Sequence, residues 1–79
     1  MALKSEEIFG QVLKTIRKRS NMSQEKLALQ SNLDRTYISM LERGIHQPTL
    51  NSLLALAEAL NMKASELVRL VEEEMTGTK

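Results

Sequence analysis

Apolar residues recur at three- and four-residue spacings in short runs, and each run is stopped by a turn residue before it can lengthen. A chain punctuated this way lacks the long periodic stretches of a coiled coil and the period-two alternation of a sheet. It has to build its core by packing several short helices across one another. Ile8, Val12, Leu13 and Ile16, with Phe9 beside them, mark a first helix over about Ser5 to Ser20. Its polar side ends in Lys14, Lys18 and Arg19, cations favoured near a helix C-terminus. Asn21 suits a left-handed exit. Ser23 is a good N-cap for a second segment that runs through Leu27 and Ala28 to about Gln30, and Asn32 suits the turn after it. Asp34 caps a third segment reaching Arg43, with Ile38 and Leu41 inward and Gly44 as its stop. GIHQP reads as a loop. Thr49 caps a fourth segment, in which Leu50, Leu53, Leu54, Ala57 and Leu60 form a broad apolar stripe. After Asn61 and Met62 comes a fifth helix, over about residues 63–75, carrying Leu67, Leu70, Val71 and Met75. The expectation is an all-α fold with residues 1–79 as a single domain.

Length and composition narrow the chemistry. At 79 residues there is no room for a doubly wound sheet, a barrel or a second catalytic domain. There is no cysteine, which excludes disulfides and thiolate metal sites, and the single histidine, His46, cannot form a histidine cluster. Without those partners the five methionines read as core or interface filler, so neither a metal nor another cofactor is expected. Apolar runs of a few residues span no membrane. MALKSEEIFG lacks the apolar stretch of a signal peptide, and a cytoplasmic location is the expectation. Glu72, Glu73 and Glu74 read as a solvated face of the last helix. No nucleophile with its base and no glycine-rich phosphate cradle is apparent, so the chain is not expected to be an enzyme.

The formal net charge of +1 hides an uneven distribution. Residues 11–46 hold seven basic against three acidic side chains, whereas residues 47–75 hold two basic against five acidic. A molecule polarised in this way can present a basic face to a polyanion and keep its acidic end away. Within the basic stretch, segments two and three are short helices joined by a tight SNL turn, the arrangement a helix-turn-helix needs. Since Ile38 and Leu41 take the inward side of segment three, Arg35, Thr36, Ser39 and Met40 fall outward. An arginine can donate twice to guanine O6 and N7, and a threonine can set its methyl against thymine or hydrogen-bond a base edge. Lys26 is a candidate for holding phosphate, as is His46 because it follows the third segment. Periodicity alone leaves other small helical domains open.

The stretch MSQEKLALQSNLDRTYISMLERG, followed by PTLNSLLALAEALNM, resembles the Cro/C1-repressor-like (XRE) helix-turn-helix family over about residues 8 to 70. NLDRTYIS followed by LERG is most similar to the controller proteins of restriction–modification systems. The resemblance implies a compact five-helix, lambda-repressor-like DNA-binding domain. It implies that Gln24 touches a phosphate and braces the recognition helix, and that Arg35 and Thr36 are the principal base readers, with Ser39 and Met40 further along the groove. It places Tyr37 and Arg43 near the DNA backbone. It also implies a partly buried ion pair between Arg17 and Glu42; independently, Arg17 is the cation of its cluster that continues the inward stripe from Leu13. Asn32 stands where many relatives have glycine. Met40 stands where some have glutamine, which leaves it an apolar touch on a thymine methyl.

The function these residues imply is a sequence-specific regulator of transcription that binds palindromic double-stranded DNA operators as a homodimer, activating or repressing, with RNA polymerase as a further possible contact. Helix five, through Leu67, Leu70, Val71 and Met75, is the expected dimer surface, although Leu67, Leu70 and Val71 could instead close the monomer core. The alternatives are a phage-like repressor or antitoxin of the same fold, and a helical protein-interaction module that binds no DNA.

Overall fold

The computed structural model describes residues 3–77. They form α1 (Ser5–Arg19), α2 (Gln24–Ser31), α3 (Arg35–Glu42), α4 (Leu50–Ala59) and α5 (Ala64–Gly77), with no strand among the described residues. The turns follow from the residues that occupy them. Asn21, Asn32 and Asn61 take φ of 58°, 59° and 62°, and Gly44 takes 76°. Asparagine is among the few side chains that tolerate this left-handed region, and glycine enters it freely. At the helix starts, Ser23 Oγ accepts the Lys26 N–H at 3.0 Å and Thr49 Oγ1 accepts that of Ser52 at 3.0 Å, as their side chains predict. Asp34 holds the N-cap position of α3 by its backbone, but its side chain makes no capping hydrogen bond. Two further helix starts use a device not read from the sequence: Glu7 and Glu66 reach back to accept the backbone N–H of Lys4 and Lys63, at 2.8 and 2.9 Å.

Every helix contributes to one core. Leu13 of α1, Leu27 of α2, Ile38 and Leu41 of α3, Leu56 of α4 and Leu67 of α5 are completely buried. Helix α1 packs on α3 and α5, α2 on α3 and α4, and α4 on α5. The radius of gyration, 11.6 Å, is what size scaling gives for a compact chain of this length.

Two expectations change. Leu67 was expected in a dimer surface, but it has no accessible area left for a partner, because α5 turns it into the core between α1 and α4. The α4 stripe is wider than the core can cover: Ala57 and Leu60 are buried and Leu53 half-buried, whereas Leu50 and Leu54 stay 71% and 50% exposed on its flank, and Leu56, outside the expected stripe, is wholly buried.

A close approach of two helices lies at Gly10, in α1. A Cβ there would sit 2.4 Å from the Leu41 carbonyl oxygen and 2.7 Å from that of Glu42. Only glycine lets the α1 backbone rest on the C-terminal end of α3. Gly10→Ala is therefore expected to destabilise by about 1–3 kcal/mol or more through overpacking, which lowers the midpoint of thermal unfolding by at least several degrees. Gly77→Ala, with nothing within 4 Å of the added carbon, should leave the midpoint within about a degree of the parent.

Candidate nucleic-acid interface

The outward face of α3 is aimed by a buried polar cluster. The Arg17 Nε–H donates to Glu42 Oε2 at 2.6 Å, and Arg17 Nη2 donates to Glu42 Oε1 at 3.1 Å, a bidentate ion pair. The two side chains are only 9% and 3% exposed. Arg17 Nη1 donates to the Met22 carbonyl at 2.7 Å, and Gln24 Nε2 donates to Glu42 Oε1 at 3.0 Å. One carboxylate at the end of α3 is thus tied to α1 directly and to the first residue of α2. Arg17 and Glu42 form an ion pair, and Gln24 hydrogen-bonds the same carboxylate. Met22, whose carbonyl takes the remaining arginine donor, was not singled out in the sequence.

With α3 held there, Ile38 and Leu41 point into the core and the other side falls open. Arg35 and Thr36, in the first turn, are exposed; Ser39 and Met40, one turn on, are half-buried. Tyr37 is also half-buried and packs against the core. A cleft of about 330 Å³ runs along this side, with Thr36, Tyr37 and Met40 on one wall. His46, Gln47 and Thr49 form the other, and Asp34 lies at its rim. The structure thus brings His46 beside α3. Gln47 is an added member. Its amide also donates to Glu6 Oε1 at 3.2 Å, pinning the loop to α1, and its only sequence signal was its neighbour His46. Arg43, at the C-cap of α3, and Lys26, in the first turn of α2, are exposed and do not line this cleft.

Charge is redistributed by the fold. Arg17 and Glu42 cancel inside, so Lys14, Lys18, Arg19, Lys26, Arg35 and Arg43 remain as the exposed cations of residues 11–46. Arg19 is set apart from the recognition helix: together with Glu73, Glu74 and Leu70 it lines a groove between α1 and α5. The acidic end of α5 therefore sits against one end of the basic stretch rather than wholly away from it. Among the described residues, no helix is long and apolar enough to cross a membrane.

A helix-turn-helix family model matches residues 13–67, more than half of the chain. The chain is similar to control protein C.BamHI of Bacillus amyloliquefaciens, 44% identical over 62 residues that cover 77% of this chain and 76% of that protein. It superposes on the crystal structure of the restriction–modification controller protein C.AhdI from Aeromonas hydrophila with a TM-score of 0.76 and 42% identity, over 78% of this chain and 94% of that one. A second solved structure, the C.Esp1396I controller protein tetramer in complex with its natural 35-base-pair operator, gives a TM-score of 0.83 at 34% identity, covering 92% and 96%.

The buried pair yields a prediction about stability. Glu42→Ala leaves the Arg17 guanidinium buried without its counter-charge and is expected to cost about 3–5 kcal/mol, read as a lower urea midpoint. Arg17→Met combined with Glu42→Leu removes both charges and should recover most of that loss. A double variant as unstable as the single one would show that the cluster acts through something other than charge balance.

Proposed function

The chain belongs to the helix-turn-helix family, and we propose that it is a sequence-specific, double-stranded DNA-binding regulator of transcription of the restriction–modification controller type. The observation that carries this reading is the pairing of a rigid mount with an open reading face: a buried cluster fixes α3, and α3 presents Arg35 and Thr36 outward in its first turn. That is where a recognition helix in the major groove places the side chains that meet base edges. Arg35 is assigned to a guanine through O6 and N7, and Thr36 to the adjoining base. Tyr37, Arg43, His46, Lys26 and the second amide hydrogen of Gln24 are assigned to phosphates, which fix register but carry no sequence information. Binding and release of DNA need no cofactor and no bond-making, so the reading is of a regulator and not of an enzyme.

Two protomers are proposed to bind together, with recognition helices entering successive major grooves about 34 Å apart on an imperfect palindrome. Since Leu67 is spent in the core, the proposed dimer contact rests on Met75 and the uncovered parts of Leu70 and Val71. Val68 on α5 and Leu50 and Leu54 on α4 are further exposed apolar side chains available to it. Occupied operators beside a promoter would regulate transcription by excluding RNA polymerase or by contacting it, in the cytoplasm.

The test is selection of bound duplexes from a random pool at about 150 mM salt, where non-specific attraction is weakened. A recovered two-fold motif with half-sites one helical turn apart is expected, whereas an unenriched pool from folded protein would sink the reading. On the recovered operator, Arg35→Ala should cost about 1–3 kcal/mol of discrimination at one base pair per half-site. Equal losses on operator and random duplex would reassign Arg35 to the backbone. With about three or four phosphates held per protomer, affinity should fall on the order of a thousandfold or more between about 50 and 200 mM salt.

A further inference from the structure

Met40 is an odd residue for a base-reading face. It lies one helical turn after Thr36 on the open side of α3, and both line the cleft against the loop that carries His46. A thioether has no donor and accepts only weakly, so it cannot read a base edge by hydrogen bonds. It can only recognise apolar surface of the right shape. Thr36 adds a γ-methyl one turn away, and Met40, half-buried on the same wall of the cleft, is less free than a side chain standing in solvent.

The major groove displays one apolar group on a base edge, the methyl at C5 of a pyrimidine. Thymine carries it by nature. 5-Methylcytosine carries the same group at the same ring position. We propose that Thr36 and Met40 form a notch for a pyrimidine 5-methyl group, so that the protein reads methylation of an operator cytosine at C5 as it reads a thymine methyl. The inference rests on the reading that α3 enters the major groove, and it adds a chemical modification of DNA to what the binding can sense. The exposed Arg35 guanidinium at the start of the same helix supplies the complementary polar half, holding the neighbouring base pair in register.

Burying one methyl group in such a notch is worth about fourfold in affinity per half-site, and about fifteenfold for a dimer that does so twice. The experiment uses the operator returned by selection. Each thymine is replaced in symmetric pairs by deoxyuridine, and each cytosine by 5-methylcytosine, and the dissociation constant is measured for each duplex. One symmetric pair of positions should respond: a cytosine pair gains about fifteenfold on 5-methylation, or a thymine pair loses about fifteenfold as deoxyuridine and, once changed to a C·G pair, gains as much on 5-methylation of that cytosine, whereas a thymine pair that responds to deoxyuridine but not to the methylated cytosine would overturn the reading of methylation. Met40→Gln and Thr36→Ser, both checked for an unchanged thermal midpoint, should each shrink that response. A flat response at every position on an operator that is otherwise bound specifically would overturn the notch, as would a response left intact by both substitutions. Failure to recover any operator would instead overturn the DNA-reading function beneath it.

Discussion

The bidentate contact between Arg17 and Glu42 is the joint on which the rest of the molecule turns. It closes a gap of twenty-five residues in sequence and joins the end of α1 to the end of α3. Arg17 also holds the Met22 carbonyl in the first turn region, while Gln24 adds its amide to the same carboxylate. A buried ion pair gains little net stability over a well-packed apolar substitute, because both charges lose their water. What it does is reject alternatives. A slipped or rotated α3 would leave a buried charge without its partner, which penalises those arrangements. The pair between Arg69 and Glu73 on α5 shows the contrast: it has good geometry at 2.7 Å, yet both side chains are more than half exposed and solvent screens it.

Around that joint, α3 does two jobs with its eight residues. Ile38 and Leu41 are fully buried and help to hold five helices together, while the intervening positions stay open. The bare backbone of Gly10 brings α1 close enough to the end of α3 for Arg17, two turns later, to reach Glu42. Close packing and the ion pair are therefore parts of one arrangement. The loop after α3 is restrained as well, by Gly44 in its left-handed conformation and by Gln47 on Glu6, and this holds His46 beside the recognition helix.

Much of this was legible in one dimension because the signals are local. Ser23 and Thr49 announce helix starts through hydroxyls that accept a backbone N–H three residues on, and Asn21 and Asn32 announce ends through a φ few side chains tolerate. The outward set on α3 followed from knowing that Ile38 and Leu41 must be inside. Reading failed where a side chain's fate depends on what lies opposite. Nothing in the sequence of α4 distinguishes Leu56, wholly buried, from Leu50 and Leu54, left in solvent, because all lie on one continuous apolar helix. Leu67 likewise could serve either the core or a partner, and only the packing of α5 on α1 and α4 decides for the core. Gly10 carried no mark of its role, since a glycine inside a helical pattern can be a close approach or merely a weak spot.

The sequence by itself determined the number of helices, their limits to within about two residues, and which residue types stand on the outer side of α3. These depend on interactions within about four residues, and such interactions are present whatever the rest of the chain does. Only the tertiary structure decided that Arg17 and Glu42 close on each other with Gln24 against them, that Gly10 lies under the Leu41 and Glu42 carbonyls, and that His46 and Gln47 complete a cleft with Thr36 and Met40. Those outcomes depend on the crossing of helices distant in sequence, where packing volume and the cost of burying an unpaired charge select one arrangement from several that local rules allow equally.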